Sequence, residues 1–369
     1  MCLSNNRYPR PAINFTGTIL LGMEVEVDGQ IEHVLGYYNK VSGTGKGNQS
    51  KSADEMLMDA ERAITPAPGK PTRRGSRPMS LTAPRRRTPS QESADDFDWN
   101  TPDKPGKPAT IAVGNAMLIA VPAKPGTLTG KSLIPVSDFP NFMQDYARAV
   151  GPRTVQSDSM RRGRGGLLGA KSIEVVKGFD KGTYDVVIAG SAKVIAGAIE
   201  QVDADKRPVI NEELYAKLDK LYPKWTFVLF CFSEATAEKA GCALMRYQPM
   251  EKHRHLLYLP GLDGHNGDIE TGDVALDHTL VVGSCKMSKS APFAREVEFT
   301  DWKFRSTLPF MCDRVIGKVV PKGTMVPQGD FLFKLDEVRA GTVRARRMLP
   351  PGWSKVYGKS DAKPFYIEN

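Results

Sequence analysis

The sequence has no apolar run near the roughly 20 residues that a membrane-spanning helix needs. Its longest, Ile111–Val121 and Phe227–Phe232, are the length of strands. The residues Met1–Phe15 lack the charged-then-apolar layout of a secretory signal. Cysteine is sparse: Cys2, Cys231, Cys242, Cys285 and Cys312 are odd in number and form no Cys-x-x-Cys pair. That pattern argues against a disulfide framework and for reduced thiols. Together these absences predict a soluble, cytoplasmic protein with no membrane contact. Motifs for nucleotide binding are missing too. Gly43-Thr-Gly-Lys-Gly47 lacks the Gly-x4-Gly-Lys-Ser/Thr register, and Gly163–Gly169 follows no predicted strand.

What is present suffices for one large domain or two modest ones, with 369 residues of which 40% are hydrophobic. Met23–Val27 and Gln30–Leu35 alternate polar with apolar residues around Asp28-Gly29. Such a two-residue link predicts a hairpin, because both central positions of a type I′ turn take positive φ. Pattern is then lost over residues 43–108, which are poor in aliphatic residues and rich in proline, arginine and serine. A segment of that kind buries too little apolar surface to offset its ordering entropy, so it reads as a disordered basic insertion.

Order returns at Thr110–Val121, a buried-strand run. Beyond it, strands at Lys171–Val176, Tyr184–Ala189, Trp225–Phe232 and Cys242–Tyr247 alternate with helices at Ala192–Val202 and Glu212–Leu221, the latter capped by Asn211. Ser137 or Asp138 is placed to cap a helix through Phe142, Tyr146 and Val150, and Ser233 to start one reaching about Gly241. The expected fold class is α+β: a mixed β-sheet with flanking helices and a β-rich C-terminal lobe, interrupted by the insertion. Residues 1–42 and 109–290 form the discontinuous core, and 291–369 the lobe continuous with it.

Four of the five histidines, His253, His255, His265 and His278, fall between Lys252 and Leu280 with Asp263, Asp268, Asp273 and Asp277. On a strand, the two-residue spacing of His253 and His255 would put both rings on one face. With His265 they make a candidate set for a divalent metal such as zinc or manganese, which would permit hydrolysis. Without metal, Asp263 or Asp277 orients a histidine, His265 first and His278 second, as a general base. No His-Glu-x-x-His motif supports either version, and the Asp-Gly content equally suits a turn-rich loop. This reading makes the protein a hydrolase-like enzyme.

The Met1-Cys2 opening before a β-rich stretch resembles the N-terminal-nucleophile hydrolases. The resemblance implies an amidohydrolase whose exposed α-amine activates Cys2 as nucleophile. Cys285 beside Lys286 is another place for a stabilised thiolate. A different class of reading starts from charge. Arg73, Arg74, Arg85, Arg86 and Arg87, with Arg161, Arg162 and Arg164, can meet phosphates through counterion release. Arg161–Gly166 resembles a short arginine-glycine segment of RNA-binding tails. On this view the chain is a non-enzymatic binding or scaffold protein whose basic segments make weak contact with nucleic acid or another acidic partner.

Overall fold

The computed structural model describes residues 14–42, 114–151, 173–237, 239–262, 268–269, 272–348 and 365–366. Two units divide the chain: Met1–Thr44 with Ala112–Asn369, and Gly45–Ile111. Every described residue belongs to the first unit. The expected insertion at 43–108 lies outside the described residues, as do Cys2 and the arginines at 73–87 and 161–164.

The hairpin forms as its turn dictates. Strands β1 (Asn14–Val27) and β2 (Gln30–Ser42) pair antiparallel around Asp28 and Gly29, whose φ values are 51° and 75°. The hairpin is the centre of a six-stranded sheet. Beside β1 run β10 (Thr279–Ser284), then β12 (Arg314–Val319) and β11 (Arg295–Glu296). Beyond β2 lies β7 (Cys242–Tyr247). The β1–β10 pairing is parallel, and every other pairing among the described residues is antiparallel. The sheet is therefore mixed, as expected.

A second sheet is ordered β3 (Asn115–Val121), β6 (Thr226–Phe232), β5 (Tyr184–Ala189), β4 (Ile173–Phe179). Its central strands β5 and β6 are buried at every position, which is why they read as unbroken apolar runs. A third sheet is ordered β16 (Phe365–Tyr366), β15 (Arg344–Met348), β14 (Asp330–Lys334), β8 (Leu256–Leu259), and β9 (Asp273–Leu276) pairs with β13 (Thr324–Pro327). The residues after 290 are β-rich, as the sequence predicts. Their strands extend sheets begun earlier in the chain.

The helices are α1 (Phe142–Val150), α2 (Ile195–Ala198), α3 (Glu212–Leu221), α4 (Lys303–Thr307) and α5 (Leu335–Ala340). Asn211 caps α3 as its sequence predicts, accepting from the Leu214 amide at 3.1 Å. Two expectations differ from what forms. The N-cap of α1 is Asn141, because Ser137 and Asp138 are drawn to the β4–β5 turn instead. There the Ser137 amide donates to Asp180 at 2.9 Å and Lys181 pairs with Asp138. After Ser233 only a 3₁₀ turn forms, Glu234–Thr236. No helix among the described residues is long and apolar enough to cross a membrane.

Alternation on β1 divides the core between the two faces of the sheet. Ile19, Leu21, Met23 and Val25 face α1 and α4, packing with Phe142, Tyr146 and Phe304. Leu20 points the other way, into the larger apolar cluster with β5, β6, β8 and β14. Gly22 shares the Leu20 face, where a Cβ would stand 2.8 Å from Leu259. Both faces of the hairpin are therefore buried, so polar residues on its alternating positions cannot all look out to water.

The strand ends flanking residues 43–113 are both fixed. Asn39 donates its amide to Gly241 O at 2.8 Å, one residue before β7 starts, and Gly114 donates to Arg207 O at 2.9 Å. Asn115 pairs with Phe232, the last residue of β6, while Tyr38 pairs with Cys242, the first of β7. The short β6–β7 connection thus brings the end of β2 and the start of β3 to one end of the unit. Gly114 lies so close to its neighbour that a Cβ would be 2.0 Å from the Lys206 carbonyl carbon. Beneath it, Lys206 and the buried Asp185 pair at 3.1 Å, and Asp185 also accepts from the amides of Gly178 and Asp203. Burial alone would raise the Asp185 carboxyl, but the two amides and Lys206 hold it below the usual range.

Candidate functional site

Of the described members of the histidine-aspartate stretch, Asp268, Asp277 and His278 are held by structural partners. His253 ends a 3₁₀ turn (Glu251–His253) and His255 occupies the turn before β8. With neither on a strand, the shared strand face expected for the two rings is not formed. His253 stands edge-on to Trp225 at 5.3 Å, with Nε2 buried and unpartnered, while His255 is exposed. Burial, with the charges of Lys252 and His255, lowers His253 to about 4.

Asp277 and His278 link β9 to β10. His278 Nδ1 lies 3.3 Å from Asp277 Oδ1, and Asp277 Oδ2 accepts the Gly17 amide at 3.0 Å. Gly17 sits at φ 67° where the β1–β2 register shifts, so its amide is turned out of the ladder toward Asp277. The His278 carbonyl accepts from Val320 at 2.9 Å. This pair ties the bulge in β1 to the start of β10.

Asp263 and His265 lie outside the described residues, but the stems of their loop are fixed. Gly261 and Leu262 both donate amides to Asp330 Oδ1, at 2.9 and 3.0 Å, and Tyr222 donates its hydroxyl to Oδ2. On the far side, Gln328 donates its amide to Gly272 O at 2.9 Å. Leu262 and Gly272, with nine residues between them, are therefore both fixed on Gln328–Asp330. Asp268, between them, pairs with Lys217 of α3 at 2.6 Å. Asp330 is fully buried, and burial raises its carboxyl against the pull of Tyr222 and the two amides. Gly261 is required at its position, since a Cβ would be 2.6 Å from the Phe331 ring. Among the described residues, no group of three or more His, Cys, Asp or Glu side chains is arranged to hold a metal ion.

A second polar cluster, not singled out by the sequence, crosses the six-stranded sheet. Glu24 on β1 is wholly buried; it accepts from Ser284 Oγ and from two nitrogens of Arg339 on α5, Nε at 3.0 Å. Burial would raise this carboxyl, but the bonds from Arg339 and Ser284 and the charges of Arg339 and Lys286 hold it below its ordinary value. Across the hairpin, Glu24 pairs in register with His33, whose ring is 1% exposed and whose two nitrogens have no hydrogen-bond partner. Cys285 follows directly. Burial and the Glu24 charge raise its thiol despite Lys286, so the expected stabilised thiolate is not favoured there.

No protein-family model matches the chain, and no curated protein matches it. Among solved structures, it is similar to the crystal structure of baculovirus P35, at 11% identity over 88% of this chain and 90% of that one, with a TM-score of 0.35. It is similar also to a mutated baculovirus P35 after caspase cleavage, at 9% identity over 87% of this chain and 92% of that one, TM-score 0.35. A likeness at that level carries no functional implication.

Proposed function

We propose that this chain is a non-enzymatic binding protein: a β-rich scaffold that presents residues 43–113 to an acidic polymer such as nucleic acid. The observation that carries the reading is that the chain on either side of that segment is fixed, Asn39 to Gly241 and Gly114 to Arg207. Within it, Arg62, Lys70, Arg73, Arg74, Arg77, Arg85, Arg86 and Arg87 fall in a stretch with no Asp or Glu before Glu92. Such a run meets a polyanion through released counterions, with little sequence selectivity. Arg161, Arg162 and Arg164 would add to it. The described aspartates support the same reading, since Asp277 and Asp268 are engaged in tying elements together. A cytoplasmic location belongs to the proposal and is supported by four free thiols, Cys231, Cys242, Cys285 and Cys312.

The test is to delete residues 70–90 and measure binding of a fluorescent single-stranded oligonucleotide. The deletion is expected to weaken binding at least about 100-fold at low salt, on the scale of several lost phosphate contacts, and to leave the melting temperature unchanged. Binding that survives the deletion contradicts the reading.

A hydrolase-like enzyme is the second reading, favoured by the fixing of Gly261, Leu262 and Gly272, which flank His265 in sequence, on Gln328–Asp330. Loops held this way on rigid scaffolds commonly carry function. Here His265 is base or metal ligand, with Asp263 as orienter, and any metal would be zinc or manganese. His265→Ala should then remove a stoichiometric divalent metal, read by elemental mass spectrometry, without lowering the melting temperature. Wild-type protein free of metal would count against the metal version.

A further inference from the structure

The hairpin buries a titratable group that none of the foregoing uses. His33 on β2 sits inside the six-stranded sheet with both ring nitrogens unpartnered. Buried polar atoms nearly always find partners, so a lone buried imidazole needs an explanation. Its neighbours are specific. Glu24 is its cross-strand partner on β1. Tyr247 on β7 stands edge-on at 5.8 Å, its phenol kept protonated by burial. Arg339 of α5 reaches the cluster by gripping Glu24, and Lys286 acts on the same carboxylate.

The joint that this histidine adjoins is the polar contact between α5 and β1. Glu24 is filled by Arg339 and Ser284, and the Arg339 carbonyl accepts the Ser288 amide at 2.9 Å. An imidazolium at position 33 has Glu24 as its in-register neighbour, and both oxygens of that carboxylate already accept from Arg339. A protonated His33 competes with Arg339 for Glu24 or moves toward water, and the Glu24–Arg339 pair is the polar contact that holds α5 to β1.

We propose that His33 is the trigger of an acid-opened latch, in which its protonation breaks the Glu24–Arg339 pair and frees α5 from the six-stranded sheet. The sign follows from the two states. In the closed state burial, opposed by the Glu24 charge, lowers His33 to about 4. In an open state the ring is hydrated and titrates near its ordinary value, about 6.5. Opening therefore takes up a proton between those values: the latch is fully closed above about pH 6.5 and loosens as pH falls toward about 4. Glu24 stays charged through most of this window because its own carboxyl is held low.

Hydrogen exchange of the amides of residues 335–340, corrected for the intrinsic rate, tests this at pH 8 and pH 5. Wild type is expected to lose protection by about 30-fold at pH 5, the ratio set by those two pKa values. His33→Leu, which fills the site without a titrating group, should lose less than about 3-fold by the same linkage. Equal loss in both proteins, or no loss in wild type, overturns the proposal. Should the variant fail to fold, the His33 ring resonance is followed in wild type over the same range. Titration in step with the α5 amides supports the latch, and titration near 6.5 with those amides unchanged overturns it.

Discussion

Replacing Arg339 with alanine is expected to cost about 3 kcal/mol of folding stability, read as a lower urea midpoint at unchanged slope. The reason is the company left behind. Glu24 has no exposed surface, and without the guanidinium its charge keeps only the Ser284 hydroxyl and the more distant Lys286. Removing one partner of a buried pair is far costlier than removing both, since the survivor is a desolvated charge. Glu24→Leu combined with Arg339→Leu should accordingly be more stable than Arg339→Ala alone, a non-additivity that two independent sites would not show. A loss below about 1 kcal/mol for Arg339→Ala, the range of an exposed ion pair, would mean that the carboxylate is reached by water.

Asp330→Ala is the second large effect. Three donors converge on this carboxylate, the amides of Gly261 and Leu262 and the hydroxyl of Tyr222. Each buried donor left without an acceptor costs about 1–3 kcal/mol, so the variant should lose at least about 3 kcal/mol. Asp330→Asn keeps one oxygen for the two amides and turns its amide toward Tyr222, and should lose about 1 kcal/mol, the worth of one ordinary hydrogen bond. The effect should be local as well as global: amides 261 and 262 lose exchange protection first. If Asn and Ala are equally damaging, the carboxylate's charge rather than its geometry holds the loop.

Much of this architecture is legible in the chain. Asp28-Gly29 both forms the turn and fixes the register, which sets Glu24 opposite His33 by counting back from it. The unbroken apolar run Thr226–Phe232 marks a central strand, and Asn211 marks the start of α3. Alternation by itself hides the Glu24 cluster, because the polar positions of an alternating hairpin ordinarily face water. That holds for a sheet covered on one side, whereas this hairpin is covered on both. Gly22, with no side chain on the Glu24 face, is the residue that could have signalled close packing there. Asp330 and Arg339 were not legible at all, because each acts on residues far away in sequence: 69 positions to Gly261 and 315 to Glu24. The α1 cap differs from the expected Ser137 or Asp138 for a related reason, since Asp180 and Lys181 compete for those residues from another strand pair.

The central claim is that the basic segment within residues 43–113 binds polyanions, and the salt dependence of oligonucleotide affinity tests it most directly. For single strands the slope of log K against log salt is about −0.7 per phosphate neutralised. With five or more of the eight basic residues between Arg62 and Arg87 engaged, wild type should show a slope steeper than about −3. The protein lacking residues 70–90, which include seven of those eight, should show a slope shallower by roughly 3, since at least four of five engaged residues are lost and Arg62, Arg161, Arg162 and Arg164 remain. A shallow slope in wild type, or an equally steep one after the deletion, would contradict the account.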